Sequence, residues 1–380
     1  MFSPHSLLPR SREQMKSKFR VTGYFLLLCM FVFMGTGCGK KEAESVQVTM
    51  PQKNLLDESV QLEQLPVPKN QNLLTGKGDL SQEAIGKRPV AVMINNVEDA
   101  LPQYGIAQAD IIFELPVEGD LTRLMALYAD YTKVPDICAI RSCRYYYPAI
   151  AKGFDAFYVH WGMDQTVKGY VASLKMDRYD GLSNDGKLFG RDKARRSSGY
   201  ALEHTGYFKG TQFASVAQNK GERLELLNSK KEAAFQFVDY GQLVKPTGDA
   251  CNTVAIRFGA CNSKFTYNAE TKTYDKFMNG HRHIDGKTGQ QLTFTNVFVL
   301  ETSISVRDSV GHKNLNWQGS SSSKGYYISN GVVQTIRWFQ SNEGSYLKFY
   351  DENGKELTIN RGKSYIAYTY KGRTTFDSEK

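Results

Sequence analysis

The sequence predicts an α+β protein in which a mixed α/β half precedes a mostly antiparallel, all-β half. Three observations carry this expectation. Residues 87–232 interleave continuous apolar runs with helix-like stretches. Residues 236–373 break into short aromatic and β-branched segments punctuated by Asn-Gly and Asp-Gly. Aromatic residues make up 12% of the 380, with 22 Tyr and 21 Phe, a load that favours strands and gripping surfaces. With 41% apolar and 23% charged residues, a disordered, collagen-like or coiled-coil chain is excluded.

The chain opens with a basic stretch. Arg10, Arg12, Lys16, Lys18 and Arg20 stand against Glu13, so four of the nine net positive charges fall in the first 20 residues. Val21 to Met34 then runs uncharged for 14 residues. That is short for a membrane span, which needs about 20 residues, and right for a signal-peptide core. Gly35-Thr36-Gly37 precede Cys38, and a polar tail follows. Small residues before a Cys resemble a bacterial lipobox, with Gly35 where Leu is usual. Residues 1–38 are therefore read as a signal peptide ending in a lipidation site at Cys38; a diacylglyceryl group plus an N-terminal acyl chain would give stable anchoring in the membrane. The other reading is ordinary cleavage near Gly37, with Cys38 an incidental thiol. Residues 39–86 are polar, Gln/Glu/Lys-rich and free of aromatics, as a flexible tether would be.

From Arg88 the pattern changes. Pro89 to Ile94 reads as a strand buried on both faces. Ile111 to Val117 and Leu121 to Tyr131 read as strands joined by a two-residue hairpin turn at Gly119-Asp120. Tyr145 to Phe154 and Thr166 to Met176 look helical and flank a strand at Ala156 to Trp161. In the second half, strands are expected at 254–258, 264–267, 273–277, 292–301, 325–329, 332–339, 346–350 and 364–370, with turns at 279, 285, 330 and 352.

Several of these segments match a known pattern. Arg88-Pro89-Val90-Ala91-Val92-Met93-Ile94-Asn95-Asn96, Gln108-Ala109-Asp110-Ile111-Ile112-Phe113-Glu114 and Glu118-Gly119-Asp120-Leu121-Thr122-Arg123 belong to it. So do Ile140-Arg141-Ser142-Cys143-Arg144, Tyr158-Val159-His160-Trp161-Gly162 and the closing Gly362-Lys363-Ser364-Tyr365-Ile366. Together they resemble the YerB-like family of bacterial lipoproteins, a two-domain family described chiefly as having no known function. The sequence departs from that family after Arg191-Asp192. There the family tends to carry Pro-His-Asn, and this chain reads Arg196-Ser197-Ser198-Gly199-Tyr200 with Glu203-His204 beyond.

The candidate site is built from the hairpin. With Gly119-Asp120 as the turn, Glu118 pairs with Leu121 and Pro116 with Arg123, which puts Glu114, Glu118 and Arg123 on one face. They form either a satisfied ion-pair network or one side of a ligand site. Arg141, Ser142 and Arg144 precede a helix, so Ser142 is a candidate N-cap and backbone N–H groups would point at an anion. His160 ends a buried strand, where α/β domains place their sites. Arg191, Asp192 and His204 lie in and beyond a polar loop that would close the cleft.

Other chemistry is weighed on residue type. Cys138 with Cys143 and Cys251 with Cys261 form two local pairs outside the reducing cytoplasm, and two disulfides are expected. Alternatively, Cys143 between two arginines is a low-pKa nucleophile with His160 as base. His281-x-His283-x-Asp285 offers zinc-type ligands, but turn residues bracket it, and it is read as a hairpin rather than a metal site. Phosphate-loop and dinucleotide glycine motifs are absent, so no cofactor is expected. No Lys/Arg stripe or nucleic-acid motif accompanies the charge, and no nucleic-acid partner is expected. The leading expectation is a non-enzymatic binding or scaffold protein, anchored through Cys38 outside the cytoplasm, that recognises a polar or anionic ligand. Wall glycan or peptide, or an envelope protein, is the expected partner. The alternatives are an envelope hydrolase or transferase using Glu114 or Glu118 with His160, and a solute receptor, disfavoured because its two lobes would be alike.

Overall fold

A strand that is apolar on both faces must lie inside a sheet, and Val90–Asn95 does: every residue of this strand, β1, is buried. The computed structural model describes residues 65–183 and 186–379. The expected signal peptide, Cys38 and the tether as far as residue 64 lie outside them. After β1 come β2 (Ile111–Pro116), β3 (Thr122–Tyr128), helix α1 (Tyr146–Gly153), β4 (Phe157–His160), helix α2 (Lys168–Ser173), β5 (Arg178–Asp180) and the short helix α3 (Lys193–Ser197). The second half supplies β6 (Asp249–Ala250), β7 (Thr253–Ile256), β8 (Ser263–Asn268), β9 (Thr273–Met278), β10 (Asn296–Glu301), β11 (Ile304–Val306), β12 (Lys313–Leu315), β13 (Gly319–Ser329), β14 (Val332–Phe339), β15 (Lys348–Tyr350), β16 (Ser364–Thr369) and β17 (Thr374–Asp377).

Eleven strands join in one sheet, in the order β6-β14-β13-β10-β16-β2-β3-β1-β4-β5 with β15 attached to β14. The α+β architecture is as expected, mixed in the first half and largely antiparallel in the second. The link between the halves was not expected. β16, from the end of the chain, lies parallel to both β10 and β2 and so sews the second half to the first. Its residues Tyr365, Ile366, Ala367 and Tyr368 are fully buried. Each large apolar side chain buried this way contributes about 1.5 to 3 kcal/mol, which favours a central position over an edge. β1 is parallel to β4, and β4 to β5. β1 and β2 both run antiparallel to β3. Consequently β10, β16, β2, β1, β4 and β5 point one way, and their carboxyl ends share one edge. A second, six-stranded sheet is built around β9, β8, β7 and β17. Asn279-Gly280 and Asn330-Gly331 adopt positive φ at both residues, as a two-residue hairpin turn requires.

Two expectations need correction here. Residues 65–86, assigned to the tether, pack against the fold. Leu74, Leu80 and Ala84 are buried, Asn72 Nδ2 donates to Asp110 Oδ1 at 3.0 Å, and the Gly362 N–H donates to the Thr75 carbonyl. Leu74, Leu80 and Ala84 find places on the core, while Leu65 and Val67 stay exposed. The disulfides Cys138–Cys143 and Cys251–Cys261 are also absent: all four thiols are free and buried. The register of the β7–β8 hairpin pairs Thr253 with Thr266 and Ile256 with Ser263, so Cys251 and Cys261 stand at opposite ends of it, far beyond bridging distance. Cys138 lies in a strand paired with Gly206–Phe208, whereas the Cys143 N–H is tied to the Gly162 carbonyl, so the two leave the same stretch toward different neighbours.

Candidate functional site at the carboxyl ends of the parallel strands

The β2–β3 turn decides which side chains meet. The Val117 N–H donates to the Leu121 carbonyl, and Gly119 takes a φ of 60°, so the loop has three residues, Glu118 to Asp120, where two were expected. Arg123 therefore pairs with Leu115, and Glu114 with Leu124. A slip of one residue moves a side chain to the other face of a sheet. Glu114 is thus separated from Glu118 and Arg123, and the cleft expected from the sequence divides into two clusters.

On one face, Glu118 is held by two guanidiniums. Arg123 Nη2 approaches its Oε1 at 2.5 Å, while Arg144 donates through Nη2 to Oε1 at 2.6 Å and through Nε to Oε2 at 2.9 Å. Arg123 Nη1 donates to the Ser142 carbonyl, and Arg144 Nη1 to that of Cys143. These bonds fix residues 141–144 against the strand ends. The segment is further laced by Arg141 N–H to the Met93 carbonyl, Trp161 N–H to that of Arg141, and Cys143 N–H to that of Gly162. Gly162 is required here: its φ is 74°, and a Cβ would meet Leu182 Cδ1 at 2.9 Å. Ser142 is not the expected helix cap, because α1 begins four residues later, at Tyr146 behind Tyr145, with no side-chain cap.

Arg141 extends from this brace. It pairs with Glu203 at 3.1 Å, its buried Nε has no partner among the described residues, and its charge is felt at Arg123. Burial, with Arg144 close by, lowers Arg123 to about 10. Next to Glu203 stands His204, hydrogen-bonded to Asn95 Nδ2 at 2.9 Å, with burial holding its pKa below the usual value. Arg191 lies over the Trp161 ring at 4.1 Å and donates to the Leu202 carbonyl. Asp192 does not join the site: it caps α3 by accepting from the Arg195 N–H at 2.7 Å. The expected closing loop is the strand Phe189–Arg191 followed by α3.

The remaining candidates are sealed. His160 is fully buried, its Nδ1 2.9 Å from the Gly162 carbonyl, and burial holds it below its usual pKa. Cys143 is buried beside Tyr158 with its thiol pushed up to about 12, which removes the nucleophile reading. On the opposite face Glu114 is fully buried and accepts from Asn96 Nδ2, Thr122 Oγ1, Ser263 Oγ and Tyr365 Oη. Nearby, Lys276 Nζ is 3.1 Å from His283 Nδ1, and His283 Nε2 is 2.7 Å from Gln103 Oε1. His283 is therefore engaged in the core, and Asp285 receives backbone N–H groups of Ala107, Lys287 and Thr288. Among the described residues, Asp164, Asp308 and His312 are spaced to hold a metal. The Arg307 guanidinium already lies between the two carboxylates.

Asn95, Trp161, Glu203 and Lys276 complete these clusters without having been singled out for them. Only Asn95, polar at the end of an apolar run, carried a signal.

The chain that carries these two charge clusters belongs to a recognised family. The N-terminal domain of a protein of unknown function (DUF3048) matches residues 74–223, and the C-terminal domain of the same family matches residues 254–366, so the chain is a member of it. It is 29% identical over 290 residues to YerB of Bacillus subtilis (strain 168), a candidate lipoprotein by name; the match covers 75% of this chain and 82% of YerB. The crystal structure of YerB superimposes with a TM-score of 0.68 at 26% identity, covering 80% of this chain and 98% of that one.

Proposed function

We infer that the chain is an extracytoplasmic lipoprotein that binds a polar, anionic ligand or partner segment at the carboxyl edge of its large sheet. The observation that carries the reading is the brace. Glu118, Arg123 and Arg144 spend their hydrogen bonds on one another and on residues 142–143, and so hold the half-buried Arg141 guanidinium at the strand ends, paired with the exposed Glu203 that an anion would replace. Two carboxylates, Glu118 and Glu203, against three guanidiniums leave the cluster with one net positive charge, so an anion that displaces Glu203 from Arg141 gains both charge and hydrogen bonds there. Arg191 on Trp161 and the exposed Leu202 border it and suit a partner that is partly apolar. A hydrolase lacks its acid and base here, since Glu118 is committed to two arginines and Glu114 and His160 are enclosed. Wall polymer is the candidate ligand within reach of a tethered protein.

Arg141→Ala should leave the melting temperature almost unchanged, because its pair with exposed Glu203 is worth at most about 1 kcal/mol. The same change should abolish retention on isolated wall material. Retention equal to wild type would remove Arg141 from the site. Anchoring rests on the Gly35 to Cys38 run and on the name carried by YerB. Fractionation of Cys38→Ser should find the protein in the medium or unprocessed; a processed, membrane-bound variant would contradict the anchor. No helix of the described residues is long and apolar enough to cross a membrane.

A further inference from the structure

At the other end of the large sheet, β14 is incompletely covered. β6 pairs with it only at Val332 and Val333, and β15 only from Arg337 to Phe339. The edge from Gln334 to Ile336 is left open, and there a groove of about 630 Å³ lies between the segment Thr247–Ala250 and the turn Asp351–Asn353. Its floor carries the Tyr326 and Phe376 rings, 4.7 Å apart and tilted by 53°. Asp249, Gln334 and Thr335 line it, the first and last on the same face of the sheet as Tyr326, and their side chains take no part in the hydrogen bonds of the described residues.

We propose that this groove binds a neutral oligosaccharide. Its volume falls within the range of small-molecule sites. The tilted aromatic pair offers apolar surface to the C–H face of a sugar ring. Around it stand acceptors, the Asp249 and Asp351 carboxylates, together with groups that both donate and accept, the Gln334 and Asn353 amides and the Thr335 hydroxyl. That mixture suits a ligand whose hydroxyls do both; an ammonium group only donates. Lys324 Nζ stands 4.9 Å from the Tyr326 ring centre, but Asp249, Asp351 and Glu352 outnumber it and leave the rim net negative, which disfavours the anionic ligand assigned to the Arg141 surface. The two sites are independent, in different halves of the chain and of opposite charge.

The test is isothermal titration of the full chain in detergent with three probes: the hexamer of β-1,4-linked N-acetylglucosamine, cellohexaose and hexalysine. At least one oligosaccharide should bind. Tyr326→Ala should weaken it by about tenfold or more and Asp249→Asn, on an exposed residue, by about threefold or more, while Arg141→Ala leaves it unchanged. Thermal melts identify any loss of fold in Tyr326→Ala, and Asp249→Asn then decides. Binding of hexalysine alone, binding of none of the three, or sugar affinity unaltered in Asp249→Asn would overturn the proposal.

Discussion

Glu118→Ala is expected to cost about 3 to 5 kcal/mol of folding stability, the range found when one partner of a buried ion cluster is removed. Arg123 is 4% exposed and Arg144 8%, so both guanidiniums would be stranded without a counter-charge. Urea unfolding followed by circular dichroism measures the loss; a change below about 0.5 kcal/mol would show the brace to be ornamental. The same group sets a pH dependence. Burial alone would raise the Glu118 carboxyl, but Arg123 and Arg144 outweigh it and hold the pKa below the usual 4.5. The folded state then binds the proton less readily than the unfolded one. The contribution is complete above about pH 4.5 and is lost as pH falls through the lower folded value, so wild type should lose more stability on acidification than Glu118→Ala.

Glu114→Ala should be comparably damaging, again by about 3 to 5 kcal/mol, because four donors from both halves of the chain lose their acceptor and Lys276 loses a nearby carboxyl group. Adding Lys276→Met to Glu114→Ala should recover part of the loss, giving a coupling between the two substitutions that distant sites lack. Burial brings Lys276 down to about 8, against the opposing pull of Glu114. Between about pH 8 and 10.5 the unfolded state therefore binds more protons at this position, and stability rises with pH. Lys276→Met should remove that rise. Strictly additive variants with identical pH profiles would mean that Lys276 and Glu114 do not sense each other.

The elements were largely legible and their long-range partners were not. Val332 to Phe339 was expected as a strand and is one; Tyr145 to Phe154 was expected as a helix, which spans Tyr146–Gly153. Local periodicity and turn residues settle such segments. The parallel pairing of Ile111 with Ser364 joins residues some 250 positions apart and leaves no local trace. The grouping of Glu118, Arg123, Arg141 and Arg144 was visible because Glu118 and Arg123 flank a hairpin turn and Arg141 and Arg144 precede a helix. The place of Glu114 was not, since Glu118-Gly119-Asp120 is equally compatible with loops of two and three residues, and that difference turns a side chain to the opposite face. The cysteines misled for a related reason. Short spacing in sequence suggests a bridge, but spacing along an extended hairpin becomes distance.

The most direct measurement is a crystal structure of the protein soaked with anionic fragments released from isolated wall material. Density against the Arg141 guanidinium and the Ser142 hydroxyl, with the Glu118 to Arg144 brace unmoved, is the expected result. Density only elsewhere, with Arg141 still paired to Glu203 and the carboxyl edge of the sheet empty at saturating ligand, would contradict the assignment of this edge as the binding surface.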